Sequence, residues 1–252
     1  MNDLNGQLSL LLKELHLPMF REYYHEFAQK AIKDNLGYAQ YLFELAQRES
    51  EVRKANKIAR LLKSSRLPLE KTFDNFDISR LPIGLRQQVK ILQDGSFVDR
   101  RENILAFGKP GSGKTHLLCA ICHELGRQGK RVYFAACDLM VQELLRAKKE
   151  LELDKLLKKL GGYDAIMIDD FGYVKHNRDE MEVLFTLLAY RYERGSLLIT
   201  SNLPFSKWEV IFKDPMTTAA AIDRLVHHSV VLELNVPSYR AEQARKRKTK
   251  IA

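Results

Sequence analysis

Apolar residues in the first quarter of the chain recur with the period of a helix, whereas further on they gather into short runs separated by amphipathic stretches. Leu4, Leu8, Leu11, Leu12 and Leu15 fall on one helical face. Pro18 is placed to open a second helix carrying Phe20, Tyr23, Tyr24 and Phe27. Gly37 interrupts, and a third helix is expected from about Tyr38 to Ser64. On it Arg53, Lys57 and Arg60 share a narrow sector, while Ala55, Ile58, Leu61 and Leu62 supply apolar material elsewhere; Pro68 ends the unit. Residues 72–82 read as a connector whose Phe73 and Phe76 dock onto the next domain.

From about residue 84 strands and helices alternate. Strands are expected over Asn103–Phe107, Arg131–Ala135, Ala165–Asp169, Ser196–Thr200 and Ser229–Leu234, with helices near 114–127, 138–159, 178–193 and 218–226. This alternation predicts an α/β fold whose parallel sheet is covered on both faces. Ligands in such folds sit beyond the carboxyl ends of the strands. The expected domains are a helical region over 1–70, a connector over 71–83, a core over 84–240 and a basic tail over 241–252.

The polar residues after the strands carry the chemistry. Gly108-Lys109-Pro110-Gly111-Ser112-Gly113-Lys114-Thr115 matches the phosphate-loop pattern at every fixed position, between a strand and the apolar helix that begins His116-Leu117-Leu118. Its glycines let backbone N–H groups turn inward onto phosphate oxygens, at the positive end of the following helix. Lys114 is expected to reach the β- and γ-phosphates of ATP, and the Thr115 hydroxyl to ligate Mg2+. Ala165-Ile166-Met167-Ile168-Asp169-Asp170 is a buried strand ending in two acids. Asp169 suits magnesium, and Asp170 is positioned in the chain to orient or deprotonate water. A third strand end, Leu198-Ile199-Thr200-Ser201-Asn202, offers an amide for the γ-phosphate and the lytic water, although Asn is also an ordinary turn residue there. Arg224, ahead of the last strand, is either a solvated arginine or a finger donated to a neighbour's ATP, and Arg240 is a weaker candidate sensor. Lys175, His176 and Arg178 form a polar loop that suits DNA contact or plain solvation equally.

Composition narrows the partners. The 252 residues are 45% hydrophobic, enough for a soluble core, and contain no apolar run of membrane-spanning length. The start, Met1-Asn2-Asp3-Leu4, has neither basic residues nor an apolar run, so a cytoplasmic protein is expected. Cys119, Cys122 and Cys137 lack the further ligands of a zinc site and read as buried thiols. The net charge of +9 is concentrated in Arg48–Lys71, with eight basic and three acidic residues, and Arg240–Ala252, with six and one. Neither segment interleaves aromatics among its cations, which favours a reader of the nucleic-acid backbone over a binder of single strands.

Taken together, these residues resemble the AAA+ ATPases of the IstB/DnaC type, and within that group the IstB-type helpers encoded beside a transposase. The likeness runs over nearly the whole chain: His16-Leu17-Pro18-Met19, Phe73-Asp74-Asn75-Phe76-Asp77, the phosphate loop with its strand, Ile168-Asp169-Asp170-Phe171-Gly172, Leu198 to Pro204, Asp223-Arg224-Leu225-Val226-His227-His228 and Ser238-Tyr239-Arg240. It implies a P-loop AAA+ core behind a small helical region, with no C-terminal helical lid. It implies ATP and Mg2+ as cofactors, duplex DNA bound with little sequence preference, assembly into a homo-oligomer with Arg224 as a trans finger, and a transposase as protein partner. Lys114, Thr115, Asp169, Asn202 and Arg224 take the roles of phosphate lysine, magnesium hydroxyl, magnesium acid, first sensor and finger. Asp170 stands where AAA+ proteins in general have glutamate; one methylene less implies slow turnover or a site completed by a partner. A replicative-helicase loader shares this core and is the alternative. A replication initiator would need a lid and a DNA-reading domain after the last strand, where this sequence has 18 residues beyond Leu234, seven of them charged.

Overall fold

Five parallel strands form one sheet in the order β2-β3-β4-β1-β5: β1 Asn103–Phe107, β2 Val132–Ala136, β3 Ala165–Asp169, β4 Ser196–Ser201 and β5 Ser229–Glu233. The computed structural model describes residues 2–172, 177–212, 214–239 and 241–242. The chain divides into two compact units, Met1–Arg60 and Leu61–Ala252.

In the first unit, α1 (Asn2–Glu14) and α2 (Pro18–Lys33) are followed by α3 (Tyr38–Ser64), whose last residues belong to the second unit. Pro18 occupies the first turn of α2, where a missing N–H costs nothing. The leucine face expected on α1 is only partly used: Leu12 is buried, while Leu4, Leu11 and Leu15 are exposed. Within this unit the packing covers a single row of α1, so a stripe five residues wide is more than it buries.

The second unit shows why the strands read as continuous apolar runs. All five residues of β3 are buried. Side chains alternate between faces: Leu105, Ile166, Ile168, Leu197 and Ile199 join one core with α7 (Cys137–Lys149), α8 (Leu153–Gly161), α9 (Arg178–Arg191) and α11 (Pro215–Val226), together with Ile211 and Phe212 of α10 (Glu209–Phe212). Ile104, Ala106, Met167 and Leu198 join the other, with α4 (Ile83–Leu92), α5 (Ser96–Asp99) and α6 (Lys114–Arg127). Phe73 and Phe76 pack against this second core.

Two elements differ from the sequence reading. Helix α4 lies just after the connector, its signal being Leu85, Val89 and Leu92 at helical spacing, all buried. The single helix expected over 138–159 is two, broken where Leu151 takes φ +56° and Glu152 N–H donates to the Ala147 carbonyl. A straight helix of that length would run about 33 Å, roughly twice the span of a five-residue strand. Turning keeps both halves on the sheet. Arg191, fully buried, secures the far edge by donating to the carbonyls of Leu160, Tyr163, Asp164 and Ser196.

Candidate active site

Because β4 lies between β1 and β3, three polar strand ends meet at one edge of the sheet. The chain leaves β1 at Phe107, turns through Gly108–Gly113 and enters α6 at Lys114. Gly108 has φ +153°, and a Cβ there would stand 2.6 Å from the Leu234 carbonyl oxygen. Gly111 has φ +80°, and a Cβ would overlap the Ser238 hydroxyl. At both positions the loop depends on the missing side chain. The Gly111 carbonyl also accepts the Tyr239 N–H at 3.0 Å, so the Ser238-Tyr239 pair braces the loop from outside.

The side chains of the three strand ends are linked. Lys114, almost fully buried, donates through Nζ to the carbonyls of Gly108 at 2.9 Å and Lys109 at 3.1 Å, and to Asn202 Oδ1 at 2.6 Å. Thr115 Oγ1 donates to Asp169 Oδ1 at 2.7 Å. Thr200, a residue to which sequence reasoning gave no role, is buried and donates to the same Asp169 oxygen at 2.6 Å while accepting the Asp170 N–H at 2.9 Å. Thr200 thereby fixes the Asp169 carboxylate and the backbone of Asp170. Asp170 has φ +56°, a conformation Asp tolerates better than most residues, and its side chain is exposed toward the cavity. A hydroxyl and a carboxylate in contact are hard oxygen donors of the kind magnesium takes.

A cavity of about 620 Å³ opens over this set. Residues Pro110 to His116, Asp169, Asp170 and Asn202 line it, together with Phe76, Asp77 and Arg80 of the connector and with Val236 and Tyr239. Ser112 Oγ is buried with no hydrogen-bond partner among the described residues, a polar atom suited to a ligand oxygen. The loop, this atom and the oxygen pair fit a magnesium nucleotide. Docking of the connector through Phe73 and Phe76 was legible in the sequence, but its part in lining the cavity went unread. Its signals were the aromatic Phe76, now 5.2 Å from the His116 ring, and Arg80, which stacks on Tyr239 at 5.0 Å and pairs with Glu242 at 2.8 Å. His116 ties the connector to α6, donating from Nε2 to the Thr72 carbonyl, and His123 ties the segment just before the connector, donating from Nε2 to the Pro68 carbonyl. Gly108 and Lys109 serve through their carbonyls rather than as cavity lining.

The remaining candidates lie elsewhere. Arg224, in the last turn of α11, donates to the Ala220 carbonyl at 2.9 Å, stacks over Phe185 at 5.1 Å and does not line its own chain's cavity. Arg178 opens α9 and is exposed, while Lys175, His176, Arg240 and residues 243–252 lie outside the described residues. Cys119, Cys122 and Cys137 are free and buried; burial pushes the Cys119 and Cys137 thiols up to about 12 and the Cys122 thiol well above its ordinary value. Among the described residues no helix is long and apolar enough to cross a membrane.

The family model for IstB-like ATP binding proteins matches residues 10–247. An insertion-sequence ATP-binding protein of Sinorhizobium fredii is 39% identical over 95% of this chain and 80% of its own length. The ATP-binding proteins of insertion sequences IS5376 from Geobacillus stearothermophilus and IS21 from Pseudomonas aeruginosa are 37% and 35% identical, covering 92% and 95% of this chain and 92% and 91% of theirs. In fold the chain is similar to the DnaC helicase loader, with TM-score 0.57 at 17% identity over 66% of this chain and 97% of that one. It is also similar to DnaA from Aquifex aeolicus, with TM-score 0.57 at 17% identity over 73% and 56%.

Proposed function

The chain belongs to the family of IstB-like ATP-binding proteins, and on that basis we propose that this ATPase assembles on duplex DNA with ATP and assists a transposase in selecting its target. The observation that carries the ATPase part of the reading is the contact of Lys114 with Asn202 and of Thr115 with Asp169, brought together from three strand ends under one cavity. Lys114 grips the phosphates, and Asn202, already bonded to it, reports on the terminal one. Magnesium would be held by Thr115 and Asp169 and would neutralise phosphate charge. Asp170 takes the proton of the water that attacks the γ-phosphorus as the bond to the leaving ADP oxygen breaks. Its short side chain makes turnover slow.

Arg224 acts across a subunit interface, consistent with its not lining the cavity of its own chain. An Arg224→Ala protein should bind ATP and not hydrolyse it. Mixing it with Lys114→Ala should restore part of the activity, since some composite sites then pair an intact loop with an intact finger. Absence of rescue in mixtures that co-assemble would show that Arg224 does not act in trans.

DNA binding is supported by the +9 charge and by the insertion-sequence setting of the relatives. Fluorescence anisotropy on random-sequence duplex, with ATP and with ADP across a salt series, tests it. Binding should strengthen with ATP, weaken steeply with salt and change little with sequence. No binding at low salt with ATP would refute the DNA reading, and capture of a hexameric helicase in place of transposase would make the protein a helicase loader.

A further inference from the structure

The first unit contains a groove of about 620 Å³ where the end of α1 and the start of α2 meet the second half of α3. Lys13, Arg21, Arg53, Lys57 and Arg60 line it, and the single carboxylate among the lining residues is Glu49. That carboxylate is buried and already committed: Oε2 accepts the Met19 N–H at 2.8 Å, and Oε1 accepts Arg53 Nε at 2.6 Å. Arg53 also donates to the His16 carbonyl, in a turn where His16 takes φ +53°. Glu49 and Arg53 thus hold the helical turn in place and leave the other four cations facing solvent. Lys13, Arg21, Lys57 and Arg60 are in no ion pair among the described residues.

We propose that this groove is the surface through which the protein grips the phosphate backbone of duplex DNA. Collecting like charges without counter-charges is unfavourable for an isolated domain and becomes favourable against a polyanion. Arg53, Lys57 and Arg60 stand at i, i+4 and i+7 on α3, which spreads them over about 10 Å of helix. Each DNA strand presents a phosphate about every 3.4 Å, so several fall within that reach. Among the described lining residues the one aromatic ring is the His16 imidazole, and no Phe, Tyr or Trp is present, so the groove lacks the run of stacking platforms that successive unstacked bases need. Lysine and arginine contacts of this kind position a duplex without reading its sequence. An acidic protein is the competing occupant, but Leu12 and Leu17, which would anchor one, are buried and half-buried in closing the hairpin.

The inference rests on the reading of the chain as a duplex-binding ATPase, and one experiment separates the two. Full-length protein is compared with a groove variant, Lys13→Gln/Arg21→Gln/Lys57→Gln/Arg60→Gln, and a control variant, Lys90→Gln/Lys149→Gln/Lys158→Gln/Lys159→Gln. All eight positions are exposed, and circular dichroism and ATP binding check that each variant is folded. Anisotropy on random duplex with ATP should show the groove variant about tenfold weaker or more, with a salt slope shallower by up to about 3.6, or about 0.9 per cation removed. The control should stay within about one slope unit of the wild type. Equal losses in both variants, or no loss in the groove variant, would overturn the groove assignment while leaving DNA binding intact. Failure of the wild type itself to bind would refute the DNA reading. An unchanged duplex affinity in the groove variant, with binding to a fluorescent poly-glutamate peptide lost, would give the groove to an acidic protein and overturn the proposal.

Discussion

The two units of this chain use charge in opposite ways. In Leu61–Ala252 two apolar cores hold the sheet from both faces, and against them charged groups are buried at fixed places: Lys114, Asp169 and Arg191, each with hydrogen-bond partners. In Met1–Arg60 the described residues bury only Leu12, Leu45 and Glu49, and the cations stay on the surface. A thick core can hold a lysine within 2.6 Å of an asparagine from another strand, as chemistry requires. A thin helical unit offers long side chains in water, which suits a ligand recognised by charge alone.

The largest effect expected of any substitution is at Lys114. Lys114→Ala removes the charge assigned to the phosphates and should lower ATP turnover by roughly 10²–10³-fold, with weakened nucleotide binding in a titration of a fluorescent ATP analogue. Normal turnover would mean that the buried ammonium is structural, like Arg191. Next is Thr200→Val, which keeps the volume but strips Asp169 and the Asp170 N–H of a shared partner. An unmade buried hydrogen bond costs about 1–3 kcal/mol, so turnover should drop about 10–100-fold with ATP binding largely kept. Thr200→Ser should recover most of it, whereas a merely packing role would let valine pass and serine fail.

The first unit should respond in stability instead. Glu49→Leu leaves the Met19 N–H and Arg53 without their acceptor, at about 1–3 kcal/mol. With so few buried residues to share the loss, α1 and α2 should exchange amide hydrogens faster while ATP binding is unchanged. A matching loss of protection in β3 would show that the two units do not unfold independently. The smallest effect concerns pH and belongs to the second unit. Burial raises Cys119 and Cys137 to about 12 from an ordinary 9.0, so above pH 9 the unfolded chain releases protons that the folded chain keeps. Stability present below pH 9 should therefore decline as pH climbs toward 12. Cys119→Ala and Cys137→Ala should flatten that alkaline limb in urea melts, and native protein should resist iodoacetamide at pH 8.

Local pattern was enough to locate all five strands to within a residue at either end, because each is a short apolar run bounded by turns. It also determined the phosphate loop, whose glycine positions are demanded by backbone geometry, and the acid pair that ends β3. Those features depend on neighbours in the chain. What the tertiary structure decided is everything that depends on strand order. Inserting β4 between β1 and β3 is what brings Asn202 to Lys114 and Thr200 to Asp169 and the Asp170 N–H; the strand end offered Asn202 for the γ-phosphate, but nothing near residue 200 in the sequence marks Thr200 for its part. The same holds for the connector, whose docking through Phe73 and Phe76 was legible but which becomes part of the cavity lining only in the fold, where His116 donates to its Thr72 carbonyl. The groove of the first unit has the same origin. Spacing placed Arg53, Lys57 and Arg60 on one face of α3, but only the folded hairpin brought Lys13 and Arg21 to them, because helical period governs one element at a time and charge acts through space.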